Sequence, residues 1–195
     1  MPSPDETFET LRKRLSDGPV LRDTGDDPVY YLVFDAEQML EVKRSTDRWV
    51  ASLELDGWEV ETLSIAQVVR DAFQNAPDVL RDIWLQEEKD DPLDFETISD
   101  TLGSYLTAED RKPVDQHLRR RLKALEGEEN ALLLIKDLEA LHPYARIGST
   151  ESRLQGEFHV PTVIFYPGDR VGEYSLRFLG VHPGDGNYRS VHIGK

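Results

Sequence analysis

Val29-Tyr30-Tyr31-Leu32-Val33-Phe34 is an unbroken run of apolar, β-branched and aromatic residues of strand length, with no polar residue alternating through it. A strand with one wet face alternates, so this one is buried on both sides. Two later stretches read the same way: Ala131-Leu132-Leu133-Leu134-Ile135, and Val160-Pro161-Thr162-Val163-Ile164-Phe165-Tyr166, which meets a turn signal at Pro167-Gly168. Three such strands separated by helical patterns define an α/β chain: a mainly parallel sheet with helices on both faces, the arrangement that hides both sides of every strand.

Working outward, Phe8, Leu11 and Leu15 recur at helical spacing after Pro4, and Gly18-Pro19 stops that helix. Ala36 to Arg44 has helical spacing. Trp49 to Leu55 alternates and ends at Asp56-Gly57, which predicts a strand, although a helix begun at Ala36 could also continue through Leu55. Glu59 to Leu63 alternates as a short strand, and Ser64 caps a helix whose apolar positions are Ile65, Val68, Val69 and Phe73. Residues 77–125 predict an acidic helical insertion with apolar lines Val79, Ile83 and Leu85, then Phe95, Ile98, Leu102 and Tyr105, then Leu118, Leu122 and Leu125. Its joints fall at Asp90-Asp91-Pro92 and Leu106-Thr107. Tyr174 to Leu179 and Tyr188 to Ile193 alternate as later strands. The 195 residues fit a single domain over 1–195.

Composition removes several functions. With 38 acidic against 23 basic residues the formal charge is −15, which repels phosphate backbones and anionic membranes, so neither direct nucleic-acid binding nor membrane binding is expected. The absence of cysteine excludes disulfides, Cys-ligated zinc, iron–sulfur clusters and thiol catalysis. The opening Met1-Pro2-Ser3-Pro4-Asp5-Glu6 has no signal-peptide pattern, and no apolar stretch reaches membrane-spanning length, so a cytoplasmic location is expected.

Parallel sheets hold phosphates at the carboxyl ends of their strands, on glycine turns and helix N-termini. Here the first buried strand is followed by Asp35-Ala36-Glu37-Gln38, neither G-x-x-x-x-G-K-[ST] nor G-x-G-x-x-G. Leu132 to Asp137 shares only the strand-plus-Asp pattern that holds magnesium in P-loop ATPases, and a helix cap at Asp137 is the plainer reading. The five histidines lack metal spacing, although His142, His159 or His182 with Asp185 could make a zinc site; no serine sits in a G-x-S-x-G elbow. No enzyme, cofactor or metal is therefore expected. The rival reading is a degenerate nucleotide site, or an enzyme with an unrecognised one, near Asp35, Asp137 and Tyr166-Pro167-Gly168.

Two clusters suggest contacts with partners. Arg119, Arg120 and Arg121, with Lys123, fan around the outer face of a helix whose apolar line is Leu118, Leu122 and Leu125; a solvated face balancing nearby acid is the plain reading, docking the functional one. Tyr166, Arg177, Tyr188 and Arg189 are expected to collect, exposed, at one edge of the sheet, with a core and ordinary turns as the plain reading; tyrosine and arginine dominate interface hot spots.

The series Pro28 to Asp35, Val60 to Ile65, Ala131 to Ile135 with Leu141-His142-Pro143, and especially Val160 to Gly168 followed by Ser175-Leu176-Arg177-Phe178-Leu179-Gly180 and Asn187-Tyr188-Arg189 resembles the BrxB family of BREX (bacteriophage exclusion) phage-defence systems. The family usually ends in a tighter D-N-Y-Y-R, where this chain has Asp185-Gly186-Asn187-Tyr188-Arg189. The resemblance implies a non-catalytic component of a multiprotein assembly. It also implies an α/β core similar to P-loop ATPases but without the phosphate loop, and partners that include the alkaline-phosphatase-like PglZ protein and the BREX ATPase. It brings no catalytic residues.

Overall fold

The computed structural model describes residues 2–17, 27–171, 175–181, 184–186 and 190–194. The three apolar runs form the middle of the sheet: β1 (Val29–Phe34), β3 (Ala131–Lys136) and β4 (Thr162–Val171). With β2 (Glu59–Ser64) and β7 (Val191–Gly194) at the edges, the order is β2-β3-β4-β1-β7, and every pairing along it is parallel. The more polar strands take the edges because an edge strand needs less apolar cover, while β1 is buried at all six positions.

Alternation along each strand feeds two separate cores. Tyr30, Leu32, Leu132, Leu134, Val163 and Phe165 face α1 (Pro4–Ser16) and α2 (Met39–Leu55). Tyr31, Val33, Leu133, Ile135, Ile164 and Tyr166 face α3 (Ile65–Gln74), α6 (Pro113–Leu125) and α7 (Ile147–Arg153). On the first face Trp49 stacks on Phe8 with ring centroids 4.7 Å apart, and its indole N–H donates to Asp5 at 2.8 Å. On the second, the buried Asp115 of α6 accepts from Arg153 of α7 at 2.5 and 2.8 Å and from the Thr150 hydroxyl at 3.0 Å. Burial, the largest influence on Asp115, raises its pKa; the bonds from Arg153 and Thr150 and the charges of Arg153 and Lys112 outweigh it, so the carboxyl lies below its ordinary range.

The predicted strand over Trp49 to Leu55 is instead the second half of α2. Val42, Thr46, Trp49 and Leu53 are its buried line, at spacings of four, three and four, so the local alternation was a by-product of helical periodicity. Nor does the third run end at Pro167-Gly168. Strand β4 continues to Val171, and at Pro167-Gly168 it changes partner, from parallel pairing with β1 to antiparallel pairing with β5 (Ser175–Phe178). Proline has no N–H to lose at the changeover, and Leu179 N–H donates to its carbonyl at 2.9 Å. Gly168 is required by the close approach of β5: a Cβ there would overlap the Arg177 carbonyl oxygen. A two-residue β6 (Asp185–Gly186) pairs with β5.

Between α3 and α6 stand α4 (Asp78–Asp90) and α5 (Phe95–Thr107), with α5 begun by Asp94, whose side chain accepts from Thr97 N–H at 3.1 Å. The predicted apolar line Val79, Ile83 and Leu85 of α4 faces water; Trp84 is the inward side chain, meeting Phe73 and Tyr105 edge-on at 5.6 and 5.1 Å. By contrast, α6 lies on the sheet through Val114, Leu118 and Leu122. Among the described residues no helix is long and apolar enough to cross a membrane.

Candidate functional site

Open parallel sheets bind ligands outside the carboxyl ends of their strands, so the ends of β1, β3 and β4 are the place to look. A cleft of about 210 Å³ lies there, lined by Phe34, Met39, Val42, Thr46, Lys136 and Phe165. Strand β1 leaves it through a 3₁₀ turn over Ala36–Gln38, where the Asp35 N–H donates to Gln38 Oε1 at 3.1 Å. One turn into α2, the ammonium of Lys43 pairs with Glu139 and lies 3.4 Å from Asp137 Oδ1. The Glu139 bond is the largest of the influences that hold the Lys43 pKa above its ordinary value. Asp137, in left-handed backbone conformation at φ +61°, accepts from the Ser64 hydroxyl at 2.6 Å, and that same Ser64 oxygen accepts the Gln67 N–H that starts α3. The Asp137 carboxylate thus joins three segments: the end of β3, the start of α3 and the first turns of α2.

This arrangement turns Lys43, Asp137 and Glu139 on one another, beside Lys136 in the same lining. Lys43 is shared by two carboxylates, and both would repel an anion. Asp137, singled out in the sequence, lines this cleft, Asp35 follows its lining residue Phe34 in the chain, and Tyr166 points to the opposite face of the sheet.

Under that opposite face is a buried polar group. The Tyr31 hydroxyl donates to Glu151, and the rings of Tyr166 and His192 each meet Tyr31 edge-on at 5.5 Å. Burial, and secondarily the charge of Arg170, push the His192 pKa down to about 4, so the imidazole is neutral at physiological pH. The cavity between Tyr31, Arg146, Tyr166 and Phe178 holds about 20 Å³, room for about one water rather than a substrate.

The expected aromatic and arginine cluster is divided by the fold. Tyr166 is 3% exposed, because β4 is a central strand; it is a core residue packed edge-on against Phe178 at 5.3 Å, and the exposed role expected for it is corrected. Arg177 is exposed and donates to Asp169 at 3.1 Å. Tyr188 and Arg189 lie outside the described residues, as does His182 of the zinc reading. On α6, Arg119 binds Glu157 through two parallel bonds of 2.7 and 2.8 Å, Arg121 pairs with Glu61, and Arg120 Nε donates to the Gln116 carbonyl at 3.3 Å. Much of this basic cluster is therefore balanced by acid on neighbouring segments. Among the described residues no three His, Asp or Glu side chains gather as metal ligands.

Fold and cleft together define a parallel α/β protein whose carboxyl-end cleft is spanned by its own ion pairs. The family model for the BREX protein BrxB matches residues 62–193, about two thirds of the chain, from β2 to β7. The chain belongs to the BrxB family and is a component of a BREX phage-defence system. No curated protein and no solved structure matches it.

Proposed function

We propose that this chain is a non-catalytic binding and assembly subunit of a cytoplasmic BREX complex, with a PglZ-like protein among its partners. The core is read as one similar to P-loop ATPases that lacks the phosphate loop, with the helical stretch 77–125 added to a single domain. The observation that carries the reading is the pairing of Lys43 with Glu139 and Asp137, reinforced by the Ser64 hydroxyl, at the place where such a core would hold its nucleotide. A first strand at the heart of a parallel sheet, followed by Asp35-Ala36-Glu37-Gln38 instead of a glycine loop, supports it further.

The test has two arms. The tagged chain, co-expressed with the other genes of its BREX cluster, is expected to recover a PglZ-like protein in stoichiometric amount; recovery of no BREX component would overturn the assembly reading. The second arm heats the purified chain with millimolar ATP and magnesium. A ligand at 100 times its dissociation constant stabilises by about 2.7 kcal/mol, so a clear rise in melting temperature would establish the rival nucleotide-site reading; none is expected.

A further inference from the structure

We propose that the outward face of the α4–α5 hairpin is a docking surface for a basic, apolar-anchored helix of another component of the same BREX system, an inference that rests on the assembly reading above. Of the nine large apolar side chains that stand exposed among the described residues, five lie within residues 79–95: Val79, Ile83, Leu85, Leu93 and Phe95. Val79 and Ile83 are one helical turn apart on the same side of α4, at 71% and 46% exposure, while Leu93 and Phe95 stand at the joint at 77% and 69%. The hairpin's attachment uses other side chains: Trp84 and Tyr105 close on Phe73, and the Tyr105 hydroxyl donates to the Ala72 carbonyl at 3.2 Å. These ring contacts and the Tyr105 bond are made without the outward apolar groups, of which Val79, Leu93 and Phe95 are mostly exposed.

Charge selects the occupant. Residues 78–100 carry nine acidic and two basic side chains, so −7 of the chain's −15 sits on this segment. A solvated acidic face needs no apolar groups; an apolar row framed by carboxylates is complementary to a cationic helix with apolar anchors at i and i+4 spacing. A second copy of this chain would bring the same seven negative charges against these seven, and nucleic acid or an anionic membrane would be repelled as well.

The test captures the tagged full chain from cells co-expressing the other BREX proteins and quantifies each one across rising salt. Val79→Asp with Ile83→Asp removes the apolar row, and Asp82→Lys with Glu88→Lys and Asp90→Lys reverses the charge; all five positions are exposed, and circular dichroism verifies folding. Leu55→Asp, at an 87% exposed apolar residue on α2, is the control. Each variant set is expected to lower recovery of one BREX component tenfold or more, with Leu55→Asp unchanged and recovery by the wild type falling as salt rises. Equal recovery by both variants and wild type would overturn the docking surface while leaving the assembly reading intact. Recovery of no BREX component by the wild type would remove both, and a doubled mass in solution abolished by Val79→Asp with Ile83→Asp would assign the face to self-association instead.

Discussion

The central sheet and the α4–α5 hairpin treat their apolar side chains in opposite ways. In β1 and β3, unbroken runs of six and five apolar positions are closed from water, divided between two cores by simple alternation. In α4 no residue is buried, and the apolar groups at Val79 and Ile83 face solvent. The contrast separates residues the chain needs in order to fold from residues that folding leaves unused, and it is the second set that is available to a partner. The carboxyl-end cleft belongs with the sheet: its Lys43, Asp137 and Glu139 are paired in joining α2, β3 and α3.

Substitutions can break or sharpen this contrast. The largest effect is expected in the sheet: Leu134→Ala, at a fully buried position of β3 between β2 and β4, should lower unfolding free energy by about 3–4 kcal/mol in urea titration. Next, Asp115→Ala removes a buried carboxylate and its bonds from Arg153 and Thr150 in the seam between α6 and α7; with Arg153 38% exposed and able to reach water, it is expected to cost roughly 2–3 kcal/mol by the same measurement. The His192 imidazole gives a pH signature of up to about 3 kcal/mol. Its folded pKa, about 4, lies below the unfolded value near 6.5, so the unfolded chain binds the proton first, and stability is present above pH 6.5 and lost as pH falls towards 4. His192→Gln should flatten that part of the pH profile; an unchanged slope would mean the ring is not held neutral.

Smaller still, Ser64→Ala removes both the start of α3 and a bond to Asp137, an expected loss of about 1 kcal/mol. At the bottom of the scale, Ile83→Ser should change stability by no more than about 0.5 kcal/mol. A loss as large as that of a core leucine would show that the hairpin's outward face is structural after all.

Much of this architecture is legible in the sequence because continuous apolar runs have few physical solutions. Val29 to Phe34, Ala131 to Ile135 and Thr162 to Tyr166 are all strands of one parallel sheet. The reading failed where a residue's partner, not its type, decides. Pro167-Gly168 is a turn signal, yet β4 runs through it because β5 folds back to take over the pairing. Tyr166 has the composition of a contact residue and the position of a core one, since tyrosine suits either and only sheet order places it centrally. Val79, Ile83 and Leu85 mark a helix but not which face is inward; that is set by Trp84, whose larger ring finds Phe73 and Tyr105. The Lys43, Asp137 and Glu139 cluster brings together residues about 95 positions apart, and only the parallel register of β1 and β3 around β4 joins them.

The most direct test is amide hydrogen exchange on the full chain, alone and bound to the BREX component that it captures. The account predicts new protection confined to residues 78–96, with the strands and the segments bearing Lys43 and Asp137 unchanged. Protection that instead appears around the carboxyl-end cleft, leaving the hairpin as it was, would contradict it.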